Sequence, residues 1–335
     1  ALSLVGTLVM LLLVGGRAHA ASLTLSGGCS IDNAILSANN DADTGGCNGS
    51  GVYGDDEIIV PAGTWSVGAN VSSEGNLTVT GAGMGQSIID AGDAFAGISC
   101  NNIGPGLLNL NVSGLTIRNT ASSSGAFPLA AGNCNLTVSN VEISDGQEDT
   151  NIYFTLEQDA VAAQLNISNV YVHDSKGSGV TINLAGDGVV STVNAEIDNF
   201  TVTRSSSNPE VLGGIAVITG DTGSNTVAST RTANVTVRNS TLTADGSNPY
   251  YGVFGITQPE VNGTVDEVNI ALENVTIIGH SINGSFPASG ILAGAIAGPG
   301  STGTTSITTK NVLVADNLAN SVAANCFATG LGGGG

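Results

Sequence analysis

Four residues near the middle of the chain have side chains that could together cleave a glycosidic bond. They are Asp145, Asp174, His173 and Arg204. Two carboxylates about 5 Å apart can split their pKa values and act as acid and base on such a bond, and an arginine can hold an anionic sugar. The four residues form no local motif. They come together only if the chain is a stack of repeats in which equivalent residues line up.

A phrase of eight residues that recurs eight times provides this alignment. Its copies are LTVTGAGM, LNVSGLTI, LTVSNVEI, LNISNVYV, AEIDNFTV, VTVRNSTL, IALENVTI and ITTKNVLV, with centres at Gly81, Gly114, Asn140, Asn169, Asn199, Asn239, Asn274 and Asn311. The centres lie 26 to 40 residues apart, which is typical of a solenoid with outer loops of variable length. Apolar residues alternate before each centre and, shifted by one residue, after it. This pattern predicts two strands that meet at a bend, where Asn or Gly tolerates a left-handed backbone.

The spacing of further apolar segments predicts the rest of the architecture. A third strand recurs between the phrases, for example at residues 179–184, and residues 30–40 predict a short capping helix that begins after Ser30. We therefore expect an all-β, right-handed parallel β-helix of about eight coils with three strands per coil and a short N-terminal capping helix. The centre asparagines should form one hydrogen-bonded, structural column: Asn140, Asn169, Asn199, Asn239, Asn274 and Asn311.

Alignment by distance from the centres brings the four candidate residues together. Asp145, Asp174 and Arg204 follow three successive centres by five residues, and His173 follows its centre by four. A structural role for the two aspartates is the alternative, because bends at the ends of strands favour Asp and Asn.

The N-terminal segment of the chain predicts export. The apolar run at residues 2–14, followed by Ala18-His19-Ala20, predicts a signal peptide over residues 1–20. A membrane anchor is the alternative, but the run is shorter than the roughly 20 residues that a span requires, and no other segment qualifies. We divide the remainder into an N-terminal cap and leading strands (21–70), a β-helix (71–320) and a truncated C-terminal segment (321–335), since the final glycine run suggests a longer precursor. The protein is expected to be extracellular or on the cell surface.

Five cysteines in an exported chain predict disulfides. Cys29 and Cys47 bracket the N-terminal segment, and Cys100 and Cys134 lie about one coil apart, so they could be neighbours. Cys326 is left over. It either pairs outside this sequence or is a free thiol.

Charge restricts the partners. The chain has 27 acidic and 7 basic residues, a net charge of −20, which argues against nucleic acid and anionic lipid, whose phosphates need clustered Lys and Arg. A carbohydrate or cell-surface ligand remains open, and no cofactor is expected apart from calcium. A loop with Asp41, Asp43, Asp55 and Asp56 has the oxygen ligands that calcium prefers; the alternative is a solvated acidic loop.

One segment resembles a known family. Cys29-Ser30-Ile31-Asp32-Asn33-Ala34-Ile35 and Asp56-Glu57-Ile58-Ile59-Val60-Pro61-Ala62-Gly63-Thr64-Trp65 resemble the N-terminal cap of bacterial secreted β-helix proteins that begin C-S-L-R-E-A-I and continue D-T-I-x-L-P-A-G-T-Y. The resemblance implies export and a parallel β-helix. Adhesins, autotransporter passengers, pectin-degrading enzymes and phage tailspikes share this scaffold, so the fold leaves the function open.

Two functions follow from these observations. The first is a non-enzymatic, exported β-helix with an adhesive, carbohydrate-interacting or structural role. The second is a secreted polysaccharide hydrolase or lyase of the pectin-degrading type. The resemblance implies that a lyase would need basic residues around a polyanionic substrate, yet the candidates are dispersed: Arg118, Lys176, Arg204, Arg231, Arg238 and Lys310. The first function is therefore preferred, and a hydrolase is the stronger enzymatic alternative.

Overall fold

Repeated short strands account for most of the described chain. A computed structural model describes residues 20–67, 72–92, 97–120, 127–146, 150–157, 161–204, 213–220, 227–244, 251–282, 290–319, 322–323 and 325–332. These residues form one helix, α1 Ile31–Asn39, and strands numbered in chain order. The strands are β1 Ala20–Thr24, β2 Val52–Val60, β3 Gly63–Ser66, β4 Ser72–Ser73, β5 Leu77–Gly81, β6 Ser87–Asp90, β7 Ile98–Asn101, β8 Leu108–Arg118, β9 Leu129–Gly132, β10 Cys134–Ser144, β11 Thr150–Leu156, β12 Val161–His173, β13 Ser178–Leu184, β14 Val190–Arg204, β15 Gly213–Gly220, β16 Thr230–Arg238, β17 Thr241–Ala244, β18 Tyr251–Gln258, β19 Val265–Glu273, β20 Thr276–Ile278, β21 Ser281–Ile282, β22 Ile291–Ala297, β23 Thr302–Lys310, β24 Leu313–Ala315, β25 Leu318–Ala319, β26 Val322–Ala323 and β27 Cys326–Gly332.

Two long parallel sheets form the walls of a solenoid. The larger sheet has 15 strands and runs along the path β1-β2-β5-β8-β10-β12-β14-β16-β19-β23, and the second has nine strands in the order β27-β22-β18-β15-β13-β11-β9-β7-β4. Each coil crosses the larger sheet before and after a bend, and then crosses the nine-stranded sheet. The predicted right-handed parallel β-helix with three strands per coil is confirmed.

The bends at the repeat centres have the left-handed backbone that the sequence predicts. The six centre asparagines have φ between 50° and 56°. Their amides form a ladder along the solenoid: Asn169 donates to Asn140 (3.2 Å), Asn199 to Asn169 (2.5 Å), Asn274 to Asn239 (3.2 Å) and Asn311 to Asn274 (3.1 Å). The ladder has one detour, because Asn239 donates to Asp198 at 2.8 Å. The amides thus link successive coils at the edge between two walls.

The interior is a continuous aliphatic core. Leucines at the fourth position before successive centres are fully buried, including Leu110, Leu136 and Leu165. Each such side chain contributes roughly 1.5–3 kcal/mol relative to an exposed one. Inward residues alternate with outward polar ones, so the core fixes which side chains face solvent.

A short helix covers the first coils, as predicted. Ser30 caps α1 by accepting a hydrogen bond from the backbone N–H of Asn33 at 3.3 Å, while Ile31 and Ile35 are buried against the core. One disulfide joins Cys29 to Cys47 beside the helix.

A second disulfide joins Cys100 in β7 to Cys134 in β10. Both predicted disulfides are therefore present. Cys326 forms no disulfide in the described part of the chain.

Strand pairing reaches beyond residues 71–320. β1 and β2 already belong to the larger sheet, and β27 pairs with β22, so part of segment 321–335 belongs to the stack. The predicted signal peptide falls outside the described residues, apart from Ala20 in β1. No helix among the described residues is long and apolar enough to cross a membrane.

Candidate functional site

The two candidate aspartates occupy a second column of bends. Asp145 and Asp174 have φ of 54° and 51°, and each directly follows the end of a long strand, β10 or β12. Ser144 pairs with His173, so the two aspartates are in equivalent positions on neighbouring coils. Asn119 and Asp316 have the same left-handed conformation at equivalent positions. The structure therefore aligns the two aspartates. It also places them in bends at strand ends, as expected if their role is structural.

His173 is held between two carboxylates. Its Nδ1 lies 2.8 Å from Asp174 Oδ2, and its Nε2 lies 2.9 Å from Glu142 Oε1 on the preceding coil. The neutral ring has only one N–H, whereas the imidazolium donates from both nitrogens. Two carboxylate partners thus stabilise the charged form. We call this arrangement of Glu142, His173 and Asp174 the histidine clamp.

Burial and hydrogen bonding oppose each other in the clamp. Partial burial acts to lower the pKa of His173, but the hydrogen bonds and charges of Asp174 and Glu142 outweigh it and raise this pKa above its ordinary value. Partial burial acts to raise the pKa of Glu142, but hydrogen bonds from His173 and Thr116 outweigh it and lower that pKa. Thr116 donates to Glu142 at 2.7 Å. Both shifts therefore favour an ionised Glu142 beside a protonated His173.

An aromatic ring completes this part of the wall. The Tyr171 ring stacks on His173 with centroids 4.5 Å apart and an interplanar angle of 21°. The Tyr171 side chain is partly exposed. Arg204 ends strand β14 on the next coil, but its side chain lies outside the described residues, so its predicted role with an anionic sugar stays a prediction.

Several of the dispersed basic residues are already paired. Arg118 contacts Asp90 at 2.9 Å through both Nε and Nη2. Arg231 is fully buried and forms a two-point ion pair with Asp266, with distances of 2.8 and 3.1 Å. Their charges are therefore engaged within the solenoid.

The acidic residues of the predicted calcium loop have separate protein partners. Asp43 accepts from the Gly49 amide at 2.8 Å and from the Tyr53 hydroxyl at 2.7 Å. Buried Asp56 accepts from the Gly54 and Ala21 amides, and Asp55 from Asn76. Asp41 adopts a left-handed conformation after α1. Among the described residues, no group of three or more His, Cys, Asp or Glu is arranged to hold a metal ion. Calcium binding here stays a prediction, which a calorimetric titration with calcium tests.

A second amide column runs along the wall that precedes the bends, five residues before each centre. Its members are Asn76, Asn109, Asn135, Gln164, Asn194, Asn234 and Asn269, followed by Ser306. Strand register places them side by side, as in the Gln164–Asn194–Asn234 series. Amides bond along the column, for example Asn234 to Asn194 and Asn269 to Asn234, both at 3.2 Å. We call this set the outer amide column.

Two open depressions lie beside the outer amide column. The first is lined by Asp55, Asp56, Asn76, Leu77, Thr78, Asn109 and Asn111, and the second by Gln164, Asn166, Asn194, Ala195, Glu196, Asn234 and Thr236. Neither set contains a basic or aromatic residue. This column is absent from the sequence predictions, although its members share one offset, five residues before each centre.

Comparisons with known proteins found only distant similarities, all to solved structures. No protein-family model matches the chain, and no curated protein matches it. Carrot pectin methylesterase is similar in structure at 13% identity, covering 93% of this chain and 88% of its own, with a TM-score of 0.38. The catalytic domain of a GH87 alpha-1,3-glucanase in complex with nigerose is similar at 14% identity, covering 92% of this chain and 68% of its own, with a TM-score of 0.34. The A-module of a mannuronan C-5 epimerase from Azotobacter vinelandii is similar at 15% identity, covering 91% of this chain and 97% of its own, with a TM-score of 0.28. Similarity at these levels does not show which residues form a site.

Proposed function

We propose that the protein is an exported β-helix, secreted or on the cell surface, that contacts carbohydrate through its outer wall without cleaving it. The observation that carries this proposal is the wall before the bends, where outward residues of successive coils are mostly Asn, Gln, Ser and Thr. Such side chains both donate and accept hydrogen bonds, as sugar hydroxyls do. A polar wall that repeats over several coils suits an extended, uncharged ligand better than a small substrate.

The histidine clamp supports the absence of catalysis. A glycosidase needs one protonated and one ionised carboxyl group, with space between them for the sugar and, in inverting enzymes, for a water molecule. In the clamp, the His173 ring occupies the space between Glu142 and Asp174. The charged groups of the clamp are therefore paired with one another.

The disulfides support export, and the net charge bears on the ligand. Disulfides persist in oxidising compartments outside the cytosol, and this chain forms two. A net charge of −20 keeps anionic polymers away from most of the surface.

A secreted polysaccharide hydrolase or lyase is the second candidate. The observation that favours it is the alignment of Asp145 with Asp174 on neighbouring coils, next to the partly exposed ring of Tyr171. In that case Asp145 would replace Glu142 as the partner carboxylate, and Arg204 would hold the sugar.

Binding and cleavage measured on the same samples separate the two functions. The purified chain is run through gels that contain soluble neutral or acidic polysaccharides, and the polysaccharides are then assayed for new reducing ends and unsaturated products. We expect retardation by at least one polysaccharide and no products. Product formation that Asp174→Asn abolishes would establish the enzyme instead. Absence of both retardation and products across the panel would rule out a carbohydrate function.

A further inference from the structure

The two depressions on the wall lie between the same two columns of side chains, which run parallel to the solenoid axis. In both, one side is the outer amide column and the other side is the column two residues later along each strand, with Thr78 and Asn111 in the first and Asn166, Glu196 and Thr236 in the second. The residue between the columns, Leu77 or Ala195, forms the floor. Register joins these columns continuously from coil to coil, since Asn111 pairs with Thr137 and Thr137 with Asn166. The two depressions therefore lie along one pair of columns, and we call the space between these columns the groove.

The amides on one side of the groove keep hydrogen-bonding capacity. Asn234 uses one N–H to donate to Asn194, and its oxygen accepts from Asn269. A primary amide has two N–H donors and two acceptor lone pairs, so these two bonds use half of the hydrogen-bonding capacity of Asn234. The intercoil bonds also fix the orientation of the amides, which reduces the entropy lost on binding. A hydroxyl group donates and accepts, so a polyhydroxylated chain matches this surface.

Charge and shape select among polymers. No basic residue lines either depression, while Asp55 and Asp56 line the first and Glu196 the second. These carboxylates repel uronates, phosphates and sulfates but accept hydrogen bonds from neutral hydroxyls. A peptide ligand would usually add pockets for alternate side chains, whereas here the floor is a single column of buried aliphatic residues.

We infer that this groove binds a single neutral, linear glycan chain that runs along the solenoid axis. The inference rests on the proposed carbohydrate function and adds the place, direction and charge of the ligand. Successive coils repeat every 4.8 Å or so, which is close to the length of a sugar unit in an extended glycan. Consecutive sugars therefore meet equivalent amides on consecutive coils.

Paired variants test the groove. Asn166→Ala with Thr236→Ala removes polar groups from its side, and neither residue belongs to an amide ladder. Ser139→Ala with Ser168→Ala is the matched control, because these residues face outward on the same wall but stand one residue before the centres, outside both columns of the groove. All four side chains are at least partly exposed, so both double variants should keep the unfolding temperature of the parent.

The probes are soluble neutral glucans, mannans and xylans, with pectate and alginate as anionic counterparts and an extended neutral peptide library as the alternative ligand. Two neutral hydrogen bonds at about 0.5–1.5 kcal/mol each predict a loss of about tenfold in affinity for the neutral glycan in the groove variant. The control variant should bind like the parent, and pectate and alginate should not bind.

The outcomes separate this inference from the broader function. Neutral glycan binding that both double variants retain would overturn the groove and leave the carbohydrate function intact. Preferential binding of pectate or alginate would overturn the neutral ligand alone. Groove-dependent capture of peptides without glycan binding, or no binding of any glycan, would overturn both proposals.

Discussion

Replacement of His173 by glutamine should remove a pH-dependent part of the stability of the solenoid. Glutamine stays neutral and can still donate one hydrogen bond to Glu142, so the variant isolates the contribution of the imidazolium charge. His173 bridges neighbouring coils through its 2.9 Å contact with Glu142, and it contacts Asp174 of its own coil at 2.8 Å. Loss of its charge therefore weakens the interface between strands β10 and β12.

The sign follows from the two shifted pKa values. The pKa of His173 is raised on folding, so its stabilisation is complete below the ordinary histidine pKa of about 6.5 and is lost as the pH rises through the raised value. The pKa of Glu142 is lowered, so its stabilisation is complete above its ordinary value of about 4.3 and is lost as the pH falls through the lowered value. The clamp should contribute most between these two ordinary values.

Exposure limits the magnitude. The His173 and Glu142 side chains are 21% and 26% exposed, whereas Asp174 is 61% exposed. A buried charged hydrogen bond contributes roughly 1.5–3 kcal/mol, and an exposed ion pair about 0.2–1 kcal/mol. After allowance for solvent, we expect the clamp to contribute about 1–2 kcal/mol.

Hydrogen exchange of β10 and β12 amides is the suitable assay, because stability in a solenoid depends on neighbouring repeats. The parent should lose about 1–2 kcal/mol of local protection between roughly pH 5.5 and 8.5, after correction for intrinsic exchange, while His173→Gln should change little. Asp174→Asn is the control and should keep most of the pH dependence, since the Glu142 contact is the less exposed one. Parallel pH profiles for the parent and His173→Gln would refute the reasoning.

Three further predictions concern the scaffold, each measured by denaturant unfolding. Asn169→Ala should cost about 1–2 kcal/mol more than Asn169→Gly, because alanine is strained at φ 52°; equal losses would contradict the bend argument. Arg231→Ala should destabilise by about 3–5 kcal/mol because it removes the cation that faces the buried Asp266 carboxylate, and Arg231→Met with Asp266→Leu should recover most of that loss; a double variant no better than the single one would contradict this account. Replacing both Cys100 and Cys134 with serine should cost about 3–4 kcal/mol for a separation of 34 residues; an unchanged midpoint would show that the disulfide adds no stability.

Much of the candidate site could be derived from the sequence by alignment. Equivalent offsets placed Asp145 and Asp174 on neighbouring coils, and the pairing of Ser144 with His173 agrees. The same alignment did not reveal that Glu142 is the second partner of His173. The reason is that His173 reaches diagonally to the preceding coil, and side-chain direction is not encoded in an offset.

The outer amide column shows the opposite case. Its members stand at a constant distance before the centres and were available to sequence reasoning. Their proposed place in a groove could not be derived from the sequence, because the depth between two columns depends on the size of the residues and on the packing of the wall. Arg231 is a further example: the sequence analysis names it only among the dispersed basic residues, whereas the structure buries it fully with Asp266.

The sequence by itself determined the β-helix. Alternating apolar residues, interrupted every 26 to 40 residues by Asn or Gly, specify strands and bends through local backbone preferences and through burial of one face. Only the tertiary structure decided which charges meet. The histidine clamp, the buried Arg231 pair and the groove all depend on distances of a few ångströms between coils, and electrostatic and hydrogen-bond energies change steeply over such distances.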